Sequence, residues 1–195
     1  MKALSISEIK TLPHTPYGAI RPQLRTGDLM FAAGTHPLSK AIQKASKSPW
    51  SHVGIVVVQH EIDRVLLLEA EYGAGVRLIP LSKYLLDYDN TGQAYEGPLV
   101  LTRIDDLTPE IAKKALTFGV DELGQPFDTQ ELAMIAVRLV LGEQKLEHDR
   151  SYLCSELVYE CFAHDGRIFD GGKDHFVAPN DIWNDPQLSL LGRIQ

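Results

Sequence analysis

Between residues 52 and 104 the apolar positions come in short β-type runs rather than at helical spacing. His52-Val53-Gly54-Ile55-Val56-Val57-Val58 is rich in β-branched residues, and Val65-Leu66-Leu67-Leu68-Glu69-Ala70-Glu71 is a second apolar run broken by two carboxylates. The polar stretch from His60 to Arg64 joins them as a hairpin. Gly73-Ala74-Gly75 then turns the chain into a strand over Val76-Arg77-Leu78-Ile79, and Leu99 to Ile104 forms another. Upstream, Arg25-Thr26-Gly27-Asp28 reads as a turn leading into the strand Leu29-Met30-Phe31-Ala32. These connections are too short for parallel crossovers, so the pattern predicts an antiparallel meander.

Helical spacing appears on either side of that block. Leu38, Ile42 and Ala45 mark a helix over Pro37–Lys47, whose C-terminal lysines suit the negative end of the helix dipole. Within the block itself a short helix is expected from Leu81 to Tyr88, followed by a polar loop from Asp89 to Gly97. Thr108-Pro109-Glu110 supplies an N-cap, a first-turn proline and an early acidic residue for a helix to Leu123. Gly124-Gln125-Pro126-Phe127-Asp128 ends it, and the strongly apolar stretch Thr129–Leu141 predicts a buried helix stopped by Gly142. A further helix is expected from about Tyr152 to His164, then loops at Asp165-Gly166 and Gly171-Gly172. A short helix over Ala178–Trp183 and an edge strand over Leu190–Ile194 close the chain. Residues 1–24, punctuated by Pro13, Pro16 and Pro22, read as a lead-in draped on a single domain over 25–195. Strands and helices are segregated, which makes the fold class α+β.

Cys154 lies where irregular polar sequence gives way to the periodicity of the helix over 152–164. Unpaired N–H groups and the positive end of the dipole stabilise a thiolate at such a position and lower a thiol pKa from ~8.5. The same place also suits a small buried hydrophobe, which is how most free cysteines behave. The other cysteine, Cys161, falls seven residues later among Val158, Tyr159 and Phe162 and reads as core. At ~1.5 Å rise per residue the two Cα atoms stand ~10 Å apart, beyond the ~7 Å reach of a disulfide.

A nucleophilic thiol needs a base, and the base needs a third group to orient it. Of the seven histidines, His52 stands at the start of a strand. A hairpin turn around residues 60 to 62 places His52 opposite residues 69 to 71. Glu69 and Glu71 share its parity and hence its face. Glu69 is preferred because it lies within the apolar run, where an ionised carboxylate requires a partner. The competing reading is a half-exposed strand histidine beside a solvated glutamate. Trp50 and Tyr152 flank the two positions and are candidates for the substrate-binding walls of a cleft.

The succession Ser51-His52-Val53-Gly54-Ile55-Val56, Leu68-Glu69-Ala70, Gly124-Gln125-Pro126-Phe127-Asp128 and Tyr152-Leu153-Cys154-Ser155-Glu156-Leu157-Val158 resembles the circularly permuted NlpC-type papain-like cysteine peptidases and amidases. These are the YiiX/YebB-like proteins, distant relatives of the lecithin:retinol acyltransferase group. The resemblance runs from about Gly27 to Trp183, and the histidine-before-cysteine order is what permutation produces. It implies a papain-like sheet packed against the cysteine helix, with Cys154 as nucleophile, His52 as general base and acid, and Glu69 as the residue orienting the imidazole. Leu153 and Glu156 stand where the unpermuted enzymes usually carry aspartate and glycine, so their cell-wall peptide specificity is not implied.

Composition narrows the alternatives. A net charge of −7 argues against a nucleic-acid or anionic-membrane binder, and the one basic run, Lys40, Lys44 and Lys47, reads as a solvated helix face. The first residues lack the pattern of a secretory signal, no stretch approaches the ~20 apolar residues of a membrane span, and a cytoplasmic location is expected. The histidines are scattered, without H-E-x-x-H or C-x-x-C, and neither G-x-G-x-x-G nor a P-loop occurs, so no metal, nucleotide or other cofactor is expected. The expected reaction is transfer of an acyl group from a small amide, peptide or ester to the Cys154 thiolate and then to water or another acceptor. The competing functions are a lipid-directed acyltransferase or amidase, with apolar helices lining an acyl pocket, and a non-catalytic module that holds a lipid or peptide end.

Overall fold

The computed structural model describes residues 4–129, 152–164, 166–169 and 177–195. Its strands are β1 (Leu29–Ala32), β2 (His52–Gln59), β3 (Arg64–Glu71), β4 (Gly75–Pro80), β5 (Leu99–Ile104) and β6 (Leu188–Arg193). They form one antiparallel sheet in the order β4-β3-β2-β1-β5-β6. The expected meander is therefore interrupted, because β5 returns to the free side of β1 and makes it a central strand. Hydrophobic periodicity assigns faces, and long-range pairing decides neighbours. The last strand lies at the sheet edge, as expected, and starts two residues earlier, at Leu188.

The two-residue period divides the core in two. On one face Leu29, Phe31, Val53, Ile55, Val57, Leu68, Ala70 and Val100 pack together. Helices α5 (Pro109–Asp121), α6 (Cys154–Ala163) and α7 (Pro179–Trp183) contribute Ala115, Leu157, Val158, Cys161, Phe162, Ile182 and Trp183 to that side. On the other face Met30, Ala32, Val56, Leu67, Leu99 and Leu101 are covered by Leu81 and Tyr84 of α4 (Leu81–Leu86). Helix α3 (Pro37–Ser46) connects β1 to β2. Helix α4 stops short of the expected Tyr88, which instead opens a 3-10 turn over Tyr88–Asn90.

The lead-in does more than drape. Helix α1 (Ile6–Thr11) is held by a reciprocal cap between Ser5 and Glu8 and sinks Ile9 fully into the first core. Helix α2 (Tyr17–Ile20) and the 3-10 turn after it bring Ile20 and Leu24 into the second. The predicted apolar helix over 129–141 and the Gly171-Gly172 loop fall, except for Thr129, outside the described residues.

Two features fix where α6 begins. Gly75 has φ +72° and touches the Gln125 carbonyl so closely that any Cβ would collide with it. Backbone bonds Val76 N–H to Gln125 O (2.9 Å) and Gly124 N–H to Val76 O (3.0 Å) then lock the 124–128 segment to β4. The same segment grips the chain before α6 through Tyr152 N–H to Pro126 O (3.1 Å) and Asp128 N–H to Tyr152 O (3.2 Å). What reads in the sequence as a helix stop is thus a clamp that delivers Cys154 to its place.

Candidate active site

Helix α6 starts at Cys154, two residues later than expected, with Leu153 in extended backbone before it. Leucine has no side-chain acceptor, and the cap is made in the other direction by a long contact, Leu153 N–H to Glu156 Oε2 at 3.4 Å. The N-cap residue therefore gives the first-turn N–H groups at Cys154 no side-chain hydrogen bond, and the positive end of the dipole lies behind them. Ser155 Oγ donates to Val177 O at 2.6 Å and pins this end of the helix. Cys154 is nearly buried, and its remaining surface opens onto a cavity of about 710 Å³.

His52 is the first residue of β2 and pairs with Ala32, which places its side chain on the α4 face of the sheet. Continuing the β2–β3 register beyond Ile55 and Leu68 sets Glu71 directly opposite it. The hydrogen bond nevertheless runs diagonally, from His52 Nε2 to Glu69 Oε2 at 2.7 Å. Glu71 stays 3.8 Å from Nδ1. Cys154 approaches the same imidazole from the helix layer across the end of the sheet. Burial alone would depress the imidazolium, but the Cys154 sulfur, by charge and hydrogen bonding, and then Glu69 outweigh it and hold the His52 pKa well above 6.5.

Glu69 has no exposed surface. Besides His52, it accepts from Tyr84 Oη at 2.6 Å on Oε2 and from Arg77 Nε at 2.9 Å on Oε1. Burial pushes its pKa up, and His52, Arg77 and Tyr84 together reverse that and leave it below the usual carboxylate value. Burial prevails at Glu71, whose pKa is raised. The structure thus brings Cys154, His52 and Glu69 into one group and assigns Glu71 to the wall of the cavity.

The two expected cleft walls lie elsewhere. Trp50 is fully buried and packs on Phe31 and Trp183, with ring centroids 5.4 and 4.4 Å away. Pleating begins only at His52, so the parity that fixes His52 does not extend back to Trp50, and its indole joins the opposite core. Tyr152 uses its backbone in the bridge to Phe127 and turns its hydroxyl towards Glu122. Among described residues the cavity is walled by Tyr72, Tyr88, Tyr95 and Phe127, with Glu71, Asp89 and Glu96 between them. Tyr88 closes the stretch read as a short helix and Tyr95 stands in the one read as a polar loop, and only their aromatic character beside polar neighbours could have singled them out. Cys161 is fully buried in the core, where its thiol is pushed up to about 12.

The His52, Glu69 and Glu71 donor atoms lie within 4.8 Å of one another, a spacing compatible with a cation. Glu69 already faces the Arg77 guanidinium and the Tyr84 hydroxyl, however, so the group is built as a hydrogen-bonded relay with its charge compensated from within.

Comparison with known proteins agrees with the fold. The crystal structure of metalloprotein YiiX from Escherichia coli O157:H7 (DUF1105) superposes with a TM-score of 0.64 at 22% identity, over 87% of this chain and 97% of that one. Among curated proteins, "Probable lipoprotein peptidase YaeF" of Escherichia coli K12 is 24% identical over 187 residues, which cover 83% of this chain and 63% of the relative. "Uncharacterized protein YiiX" of the same strain is 26% identical over 155 residues, 79% of this chain and 64% of the relative. The chain therefore spans a little under two thirds of the length of these two relatives. The family described as permuted papain-like amidase enzyme, YaeF/YiiX, C92, matches residues 23–192. With the match extending over most of its length, the chain belongs to that permuted papain-like amidase family.

Proposed function

We propose that this protein is a cysteine hydrolase that cleaves a small amide, peptide or ester bond through Cys154, His52 and Glu69. The observation that carries the reading is a thiol at a helix N-terminus, opening on a cavity and coupled to an imidazole whose far nitrogen is held by a buried carboxylate. His52 takes the Cys154 proton and the sulfur attacks the carbonyl carbon. The Cys154 N–H donates to the oxygen as it becomes an oxyanion. The C–N or C–O bond then breaks as His52 returns the proton to the leaving group, which leaves a thioester. Water, deprotonated by His52, hydrolyses the thioester and frees the thiol.

The described lining sets Glu71, Asp89 and Glu96 beside Leu38, Ile42 and Phe127, which suits a substrate with both polar and apolar groups. YiiX is described as a metalloprotein. In this chain the Arg77 cation beside Glu69 opposes a second positive charge, and no step of the reading runs through a metal.

The test is iodoacetamide alkylation at pH 6, resolved by mass spectrometry. Cys154 is expected to react at least roughly tenfold faster than a simple thiol, and His52→Ala is expected to remove that advantage. Slow labelling that ignores the His52 substitution would sink the reading and favour a binding module on the same fold.

A further inference from the structure

A carboxylate with no exposed surface is tolerated only when its charge is compensated and its oxygens are occupied. At Glu69 both conditions are met from elements outside the Cys154–His52 pair. Arg77 is the direct partner of Glu69 across the β3–β4 ladder, so strand register alone brings Nε to Oε1 at 2.9 Å. The same guanidinium reaches Asp89 through Nη1 at 3.3 Å, which holds its plane. Tyr84 comes from the other layer. Its ring is fully buried and packs on Tyr88 and Tyr95, with centroids 4.9 and 5.3 Å away, so its hydroxyl has a fixed direction.

That hydroxyl meets the oxygen that also takes His52, at 2.6 Å against 2.7 Å. An ionised carboxylate only accepts, so Tyr84 is necessarily the donor. One donor on Oε1 and two on Oε2 leave the carboxylate no rotation that keeps all three. Without Tyr84, turning both oxygens onto the Arg77 fork would satisfy the carboxylate and release the imidazole.

We propose that Arg77 and Tyr84 are positioning residues of this site, which keep Glu69 ionised and aim its Oε2 at His52 so that the other imidazole nitrogen stays turned to Cys154. The proposal rests on the reading of Cys154 and His52 as the reactive pair. The groups that face Glu69 are His52 from β2, Arg77 from β4, Tyr84 from α4 and Glu71 from its own strand, with Asp89 and Tyr88 of the 3-10 turn beyond them. The two neighbouring glutamates supply an internal contrast. Glu69, hydrogen-bonded by His52, Arg77 and Tyr84, is held low, whereas Glu71, which has none of these three bonds, is held high.

The experiment is performed on the full chain with glutamate side-chain carboxyls labelled with ¹³C. It compares wild type, Tyr84→Phe, Arg77→Lys and Arg77→Met. Two quantities are read, the titration midpoint of Glu69 and the alkylation rate of Cys154 at pH 6. Arg77→Met is expected to raise the midpoint by roughly one pH unit or more, because a neighbouring cation is lost, and to slow alkylation about tenfold. Tyr84→Phe keeps the ring and its packing, and is expected to raise the midpoint by a smaller amount and slow alkylation several-fold. Arg77→Lys keeps the charge and loses the fork, so the midpoint should stay near wild type while alkylation still slows.

A Glu69 titration unchanged in both Tyr84→Phe and Arg77→Met would overturn the proposal. So would unchanged alkylation in variants whose only defect is a lower melting temperature, which would make the two residues packing supports. A wild-type Cys154 with no His52-dependent reactivity would sink the underlying reading instead. The carboxyl titration would still decide whether the clamp holds Glu69.

Discussion

The two faces of the sheet are made from the same strands and solve burial in opposite ways. On the α5–α6 side the core is hydrocarbon and indole, with Phe31, Trp50 and Trp183 packed tilted and edge-on and Cys161 in the same core as an unreactive thiol. The α4 side starts the same way, with Val56, Leu67 and Leu101, and gives way at one end to His52, Glu69, Arg77 and Tyr84. At that end a cavity opens and the buried charges are paired, as they also are away from it in the Asp28–Arg103 and Asp185–Arg167 ion pairs. Cys154 belongs by its helix to the first face and meets the second at that end. The apolar side supplies stability and rigidity, and the polar end uses that rigidity to hold charges in place.

If this separation is correct, substitutions on the two faces should fail differently. The largest effect is expected from Cys154→Ala, which should remove all turnover of any amide or ester substrate while leaving the melting temperature within a few degrees of wild type. Trp183→Ala should do the reverse. It deletes a fully buried indole that contacts both Trp50 and Phe31, at a cost of about 3–5 kcal/mol measured by urea unfolding. In whatever fraction remains folded, Cys154 should alkylate at the wild-type rate. A Trp183→Ala protein that folds normally but alkylates slowly would break the comparison.

Glu69→Gln tests the polar end alone. It leaves the largely buried Arg77 without its nearest counter-charge, a loss of about 3 kcal/mol. It should also flatten the pH dependence of stability. The folded pKa of Glu69 lies below its ordinary 4.5, so its contribution is present above that value and is lost as pH falls through the folded pKa. That of His52 lies above 6.5, so its contribution is complete below 6.5 and fades as pH rises through the folded pKa. These two groups together therefore stabilise the wild type most between about 4.5 and 6.5, against Glu71, whose raised pKa costs stability as pH rises above 4.5, and both flanks set by Glu69 and His52 should weaken in Glu69→Gln. Thermal unfolding across pH 3 to 9 measures this, and identical profiles for the two proteins would refute it.

The apolar face was the more legible in sequence, because alternation along a strand reports directly which side chains are buried. His52 and the glutamates were legible for a related reason, since a short hairpin nearly fixes its own register. The choice between Glu69 and Glu71 rested on the chemistry of burial rather than on register, which by itself points to Glu71. Arg77 was within reach of the same reasoning, because the tight turn at 73–75 sets it opposite Glu69. Tyr84 was not, because its contact depends on how α4 folds back over the sheet, and neither periodicity nor spacing encodes that. The placement of β1 between β2 and β5 was hidden for the same reason.

The smallest expected effect gives the sharpest test of where one face ends. Trp50 stands two residues before His52, close enough in sequence to serve as a cleft wall, yet its indole lies wholly in the apolar core. Its Nε1 is buried and has no hydrogen-bond partner among the described residues. Trp50→Phe therefore removes a donor that contributes no bond, and the loss of contact area is partly offset by relief of that unsatisfied group. The net change should be about 1 kcal/mol or less, with phenylalanine still able to pack edge-on against Trp183. Alkylation of Cys154 at pH 6 should not change, because the indole packs with Phe31 and Trp183 in the α5–α6 core. A tenfold loss of reactivity in Trp50→Phe with stability intact would show that the indole reaches the cleft, and that the reactive end of the sheet draws on both faces rather than on one.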